Sequence, residues 1–275
     1  MTTLIVLPAL VGVSSILTAE SDEKHDIIHT RMKRRHEYSQ NFLRSPALVE
    51  QLLKKVPLTN EATVYDLGAG SGVITSVVAK KVKKVIAVEQ EPATIELLKR
   101  NVASLPNVEI KAADILTVKF PKTPYTIVAN IPFHLSSPIV RAFSNTPTGL
   151  EAAYLIVQKQ FGQKLVANEP GRFTSQLGMI IGIEYSVKIL KSLRKTDFWP
   201  HPAVDTVFIG ITKRPTPLVK PERIPAYIRF TEECFSDPKK LARMPLHIIG
   251  ATPGLSPSRL TLDQWVLLFH SQTRY

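Results

Sequence analysis

The chain has 275 residues, 44% of them hydrophobic, with 35 Lys plus Arg against 23 Asp plus Glu and a formal charge of +12. That length and apolar content suit a globular protein with one sizeable core and room for a smaller second one, and the charge favours polyanionic partners, nucleic acid or an anionic surface. A single cysteine, Cys234, excludes an internal disulfide and a multi-cysteine zinc site, and fits a reducing cytoplasm. Inside the helical pattern TEECF it reads as a small buried apolar residue.

The first nineteen residues, MTTLIVLPALVGVSSILTA, carry no charge. With no basic residue ahead of it and an apolar stretch of roughly 15 residues, the segment is short for a membrane span and a poor match to an export signal, which stays open as the lesser alternative. Residues 1–30 are read as an N-terminal extension, either a helix packed on the body or an artefact of the assumed start of translation. HTRMKRRH (29–36) then brings four Lys or Arg side chains suited to clamping phosphates.

From residue 63 onward, short apolar runs alternate with helical patterns. TVYDLG (63–68), KVIAVE (84–89), VEIKAAD (108–114), YTIVAN (125–130) and AAYLIVQ (152–158) end in Gly, acid or amide residues. GVITSVVAKKV and PATIELLKRNVASL lie between them with helical periodicity. This βαβ alternation predicts an α/β fold with a mostly parallel sheet covered on both faces. SVKILKSL and DTVFIGITK follow as an antiparallel pair that closes the sheet edge. The proline-rich KRPTPLVKPERIP marks a change to helical composition: AYIRFTEECFS, KKLARMPLHII and LTLDQWVLLFH. The boundaries read from this are a catalytic domain over 31–213 and a small helical domain over 214–275.

Three strand ends carry a nucleoside-binding pattern. DLGAGSG (Asp66 to Gly72) sits where the first strand turns into a helix, and Gly68, Gly70 and Gly72 allow a tight turn with close ligand approach. Alone, such a turn serves NAD, FAD, S-adenosylmethionine or no ligand. Glu89 ends the second strand about 20 residues later, the place from which a carboxylate accepts from ribose hydroxyls. Asp114 ends the third strand and can hold an adenine amino group; capping the following turn is the structural alternative. The spacing is GxGxG rather than the dinucleotide GxGxxG, so a nucleoside without pyrophosphate is favoured, and S-adenosylmethionine fits.

Asn130 ends the fourth strand beside the same crevice, within NIPF. Methylating an exocyclic amine requires acceptors for its two N–H groups, and an amide oxygen with a neighbouring backbone carbonyl supplies them. Pro132 stiffens the turn. Phe133 offers a face for a base drawn out of its stack. AKKVKKV (79–85) is a second basic cluster, either an RNA contact or a solvated helix end.

Together these pieces resemble the ribosomal RNA adenine N6-dimethyltransferases: the Erm type acting on 23S rRNA and the related KsgA type acting on small-subunit rRNA. SQNFL (39–43), DLGAGSG, Glu89, Asp114, NIPFHLSSPIVR (130–141), VQKQFGQKL (157–165), FWPHPAVDTV (198–207) and LTLDQWVLLF carry the likeness, which covers residues 36 to about 270. It implies a Rossmann-like class I S-adenosylmethionine-dependent methyltransferase with a small all-α C-terminal domain. Gln40, Asn41 and Leu43 would line the cofactor pocket with Gly68, Gly70, Glu89, Asp114 and Asn130. Asn130, Ile131, Pro132 and Phe133 would form the catalytic turn, with Phe198 as the opposite wall of the base pocket or, alternatively, a core aromatic. No metal is expected.

KRPTPLV followed by YIRF, NIPF in place of NLPY, and Ala203 where the small-subunit branch has lysine all lean toward 23S rRNA. The expected partner is then unassembled or precursor rRNA, acted on by a monomer away from membranes. Mono- or dimethylation of a specific adenine would confer macrolide, lincosamide and streptogramin B resistance. Ala113, Gln160 and His134 depart from the family pattern and bear on target docking. The competing readings are a KsgA-type enzyme, a small-molecule or protein-glutamine methyltransferase, and a non-catalytic RNA-binding or transcription factor on the same scaffold.

Overall fold

The computed structural model describes residues 41–145, 149–166, 173–252 and 254–272. The N-terminal extension, HTRMKRRH and Gln40 lie outside the described residues. The strands are β1 (Phe42–Leu43), β2 (Thr63–Leu67), β3 (Lys84–Glu89), β4 (Val108–Ala112), β5 (Tyr125–Asn130), β6 (Leu150–Gln158), β7 (Tyr185–Leu193), β8 (Phe198–Trp199) and β9 (Thr206–Lys213).

Seven of them form one sheet in the order β4-β3-β2-β5-β6-β9-β7. The five from β4 to β6 run parallel, while β9 is antiparallel to both β6 and β7. The expected antiparallel pair therefore closes the edge, with β7 outermost. The chain steps from β2 outward to β4 and then returns to lay β5 on the other side of β2. The crevice between β2 and β5 is thus a switch point, the position where open α/β sheets bind ligands.

Side-chain alternation explains why both faces are covered. Ile127, Ala129 and Ile131 enter one core, whereas Val128, the residue between, enters the other. The first core is capped by α4 (Ser136–Asn145), α5 (Lys159–Leu165) and α6 (Gln176–Gly182), through Ile139, Val140, Leu165 and Ile181. The second is capped by α1 (Pro46–Leu53) and α2 (Val73–Val78), through Leu52, Leu53, Val77 and Val78. α3 (Pro92–Val102), started by Pro92 at its first turn, packs Leu98 and Val102 on Ala69 and Ala87.

Residues 224–271 supply α7 (Ile224–Ser236), α8 (Pro238–Ala242) and α9 (Leu262–Ser271). Fully buried Trp265 stacks on Phe235 with ring centroids 5.4 Å apart, and Tyr227 meets Phe269 edge to face at 5.3 Å. Cys234 sits in this core, where burial pushes its thiol up to about 11. The helical layer does not stand apart from the sheet, because Met179 and Ile183 belong to its core. KKLARMPLHII is not one helix: α8 ends at Ala242 and a separate 3-10 turn spans Leu246–Ile249. Pro245, which cannot donate to a helical ladder, separates the two. Thr261 and Gln264 form a reciprocal capping box that starts α9 two residues later than the apolar pattern suggested. Among the described residues no helix is long and apolar enough to cross a membrane.

Two features of the β2–α2 turn are testable by stability alone. Gly72 caps α2 at φ +89, and a Cβ there would lie 2.6 Å from Leu98 Cδ1. Gly72→Ala should therefore cost about 2–4 kcal/mol in chemical denaturation, through left-handed strain plus overpacking against α3.

Asp66, the second feature, is buried with one carboxylate oxygen accepting from the Thr75 hydroxyl at 2.6 Å and the other unpartnered among the described residues. Burial raises its carboxyl to about 7, with the nearby Glu89 adding to the rise. The folded protein thus holds a proton that the unfolded chain loses near pH 4, so this site's stability is lost as pH rises from about 4 to about 7, and the loss stays constant above that. Asn at 66 keeps an acceptor for Thr75 without the charge. Asp66→Asn should raise Tm at about pH 8.5, with a gain that shrinks toward about pH 5. An equal loss at both pH values would show that the carboxylate is wanted in its charged form.

Candidate active site

The glycine turn after β2 closes through backbone conformations that only glycine adopts without strain, with φ +74, +56 and +89 at Gly68, Gly70 and Gly72. Glu89 ties this turn to the end of β3. One of its carboxylate oxygens accepts the Gly70 N–H at 2.9 Å, and the other accepts those of Gln90 and Glu91 at 2.9 and 3.0 Å. A carboxylate offers about four lone-pair sites, so three backbone bonds leave capacity for one further donor. Asn101 of α3 braces the same turn by donating its amide to Ser71 O at 2.8 Å.

Beyond Glu89, a cleft of about 530 Å³ opens between the ends of β3 and β4. Gln90, Ile95, Ala112, Ala113 and Asp114 line it, with Glu96 and Lys99 ion-paired at 2.8 Å on its wall. Asp114 makes the cap that was the structural alternative: one oxygen accepts from Leu116 N at 2.9 Å and starts a 3-10 turn. Its position on the cleft wall is compatible with both roles.

Asn130 stands across the switch point. Its Nδ2 donates to Asn41 O at 2.6 Å, and its Oδ1 is buried without a hydrogen-bond partner among the described residues. The geometry fixes which amide atom is which, because Asn41 O accepts and only the nitrogen donates. Pro132 lies against the glycine turn: a Cβ on Gly68 would be 3.5 Å from Pro132 Cδ. Asn130, Gly68, Gly70 and Glu89 are thus brought together at one edge of the sheet. Phe133 follows on a 3-10 turn, half-buried.

Three expected site residues are placed differently. Ile131 turns into the core, so only its backbone remains for the turn. Leu43 and Phe198 are register partners in the two-stranded β1–β8 ribbon, and both point into the second core. Phe198 is 0% exposed, which matches the core-aromatic alternative rather than an open pocket wall. The other pair in that ribbon, Phe42 and Trp199, lies on the opposite face by strand alternation. Phe42 covers the glycine turn, 3.1 Å from where a Gly70 Cβ would be, and Trp199 is 42% exposed. The sequence reading passed over Trp199; the available signal was an aromatic one residue from Phe198, hence on the other face.

AKKVKKV has two readings, an RNA contact or a solvated helix end. Lys84 begins β3 at the amino edge of the sheet, opposite the strand ends that carry the site, and Lys83 and Lys84 are ion-paired to Glu61 and Glu109 at 3.1 and 2.6 Å. The solvated reading describes them.

The donors and acceptors here suit S-adenosylmethionine. A carboxylate with residual capacity lies at the end of β3, a cleft beside Asp114 accepts a planar base, and a buried amide oxygen lacks a partner where reacting atoms would meet. Among the described residues no cluster of His, Cys, Asp and Glu suits a metal ion.

Comparison with known proteins agrees. A family model for ribosomal RNA adenine dimethylase matches residues 31–248. A probable ribosomal RNA small subunit methyltransferase A of Thermococcus gammatolerans is 33% identical over 176 residues, 64% of this chain. That match spans 62% of the relative, under two thirds of its length. An rRNA adenine N-6-methyltransferase of Bacillus anthracis is 26% identical over 257 residues, 86% of each chain. The crystal structure of the 23S rRNA methyltransferase ErmE superposes with a TM-score of 0.74 at 25% identity, covering 84% of this chain and 98% of that one. With the family model spanning most of its length, the chain belongs to the ribosomal RNA adenine dimethylase family and has the Rossmann-like fold of S-adenosylmethionine-dependent methyltransferases.

Proposed function

We propose that this protein methylates N6 of an unpaired adenine in ribosomal RNA, with 23S rRNA as the substrate. The observation that carries the reading is the Asn130 amide, tied by its nitrogen to Asn41 O and left with a buried oxygen that has no partner among the described residues, beside the glycine turn. The cofactor supplies an electrophilic sulfonium methyl group. Glu89 and Asp114 hold its nucleoside end: Glu89 through the lone-pair site its three backbone bonds leave, Asp114 from the wall of the cleft.

The target nitrogen is a poor nucleophile because its lone pair is conjugated into the purine. Asn130 Oδ1 and a neighbouring backbone carbonyl accept its two N–H bonds, which localises the lone pair and favours a tetrahedral nitrogen. Pro132 contributes a rigid φ and no competing N–H. Phe133 stacks on the everted base, and Asn41, whose carbonyl holds the Asn130 amide, lies on the cofactor side. The charge of +12 provides the salt-sensitive attraction to phosphates, and base eversion favours unassembled or precursor rRNA.

The 23S target draws on the likeness to the crystallised chain of ErmE, 98% of which is covered, and on Ala203 and NIPF. The small-subunit target is the second reading, favoured by the 33% identity to the Thermococcus gammatolerans protein. Incubating stripped 23S and 16S rRNA with labelled cofactor, then mapping primer-extension stops, separates the two. A 23S stop should coincide with macrolide, lincosamide and streptogramin B resistance in cells expressing the protein; a stop only in 16S rRNA would overturn the 23S assignment.

Asn130→Ala should lower kcat on the order of 100-fold while changing cofactor affinity much less, because the lost acceptor acts on the target nitrogen. A wild-type rate would refute its role. Phe133→Ala should raise KM for RNA about tenfold, with Tyr and Trp tolerated, as loss of one base–aromatic stack does. Identical behaviour of Ala and Tyr would remove stacking as the explanation.

A further inference from the structure

β1 and β8 form a ribbon of only two residue pairs, yet it divides its aromatics cleanly. Phe198 faces the core beside Leu43, and Trp199 faces outward in register with Phe42. Phe42 covers Gly70, and the residue before it, Asn41, accepts the Asn130 amide. Trp199 is therefore one ribbon width from the groups that hold the reacting centre. Of the two tryptophans in the chain, Trp265 is fully buried, so Trp199 is the one whose ring meets solvent.

The loop carrying Trp199 is set in advance. Asp197 accepts from the Arg194 backbone N–H at 2.8 Å and from its guanidinium at 3.1 Å. Arg44, just past β1, donates its N–H to Asp197 O at 3.1 Å. Lys195 Nζ donates to Ala203 O at 2.9 Å, and His201 Nδ1 lies 2.9 and 3.0 Å from Lys195 O and Phe198 O. His201 in turn meets the Trp199 ring edge to face, with centroids 6.0 Å apart. A large, pre-oriented aromatic exposed next to a polar reacting centre costs little ordering entropy when it binds another flat surface. Arg194 and Lys195 are exposed in the same loop, with the Arg194 guanidinium held on Asp197.

We propose that Trp199 is a stacking platform for an unpaired RNA base neighbouring the target adenine, a positioning residue outside the pocket that holds the adenine itself. The assignment rests on the RNA methyltransferase reading above. Stacking on every base through its π-face gives the platform affinity without sequence preference, so it aligns the strand while Asn130 and Phe133 select the reacting base.

The test uses the full-length protein and an RNA hairpin with unpaired adenines in its loop. Titrating that RNA without cofactor should quench the tryptophan emission of the wild type and leave that of Trp199→Phe largely unchanged, since Trp265 is shielded. In steady state, Trp199→Ala and Trp199→Leu should each raise KM for RNA about tenfold, Trp199→Phe should recover most of the loss, and KM for the cofactor should hold within about twofold. Trp199→Leu keeps a large apolar side chain, so its failure alongside Ala isolates the aromatic face from bulk packing. RNA methylation with unchanged KM in Ala and Leu and no emission change overturns the platform while leaving the methyltransferase reading intact. Joint loss of kcat and cofactor binding in Leu assigns Trp199 a structural role and also overturns it. A wild type that neither binds nor methylates the RNA overturns both.

Discussion

The hydrogen bond from Asn130 Nδ2 to Asn41 O joins positions 89 residues apart and decides which atom of the amide remains for chemistry. A carbonyl accepts only from the nitrogen, so the oxygen is held in one direction, buried and without a partner among the described residues. Leaving a buried acceptor unsatisfied costs about 1–3 kcal/mol, a cost that a purely structural asparagine would avoid by rotating toward a donor. Every element around it keeps it there. β5 delivers Asn130 to the sheet edge, Ile131 anchors the turn in the core, and Pro132 packs on Gly68.

Glu89 performs the matching task on the other side of β2. Its three backbone acceptances lock the glycine turn to β3, so the turn cannot open without breaking charge-assisted bonds in a buried setting. Switch point, glycine turn and amide then form one rigid edge. The helical layer is coupled to the same sheet through Met179 and Ile183, so the surface it presents holds its place relative to the site. Phe173, exposed and capped by the Arg259 guanidinium 3.9 Å from its ring, marks where the loop before α6 meets that layer.

Much of this was legible in the sequence, because parallel strands buried on both faces appear as apolar runs and their ends appear as Gly, acid or amide. Five such runs gave five strands, and Glu89, Asp114 and Asn130 fall at or just beyond strand ends as expected. What was not legible depends on which side of a short element a residue faces. FWPHP contains two adjacent aromatics, and nothing local says which points inward; pairing with Phe42–Leu43, far away in sequence, decides it. The lysines of AKKVKKV left two readings open for a related reason, since composition suits either RNA or a solvated helix end, and only the fold places Lys84 at the start of β3, on the far edge from the site. Leu246–Ile249 kept helical periodicity past a proline that ended the helix, so pattern outlasted structure.

Two of the buried polar atoms that lack a partner among the described residues share one edge of the sheet. Asp66 Oδ1 and Asn130 Oδ1 lie at or near the carboxyl ends of adjacent strands on either side of the switch point, where a ligand rather than the fold would complete them. Burial raises the Asp66 carboxyl to about 7, so near neutral pH it is about half protonated, and the same burial would strengthen the attraction of its charged form to a nearby cation. Stability and binding therefore pull this carboxylate in opposite directions. An amide at 66 would keep the acceptor for Thr75 without the charge, so the aspartate carries a cost that the fold alone does not explain.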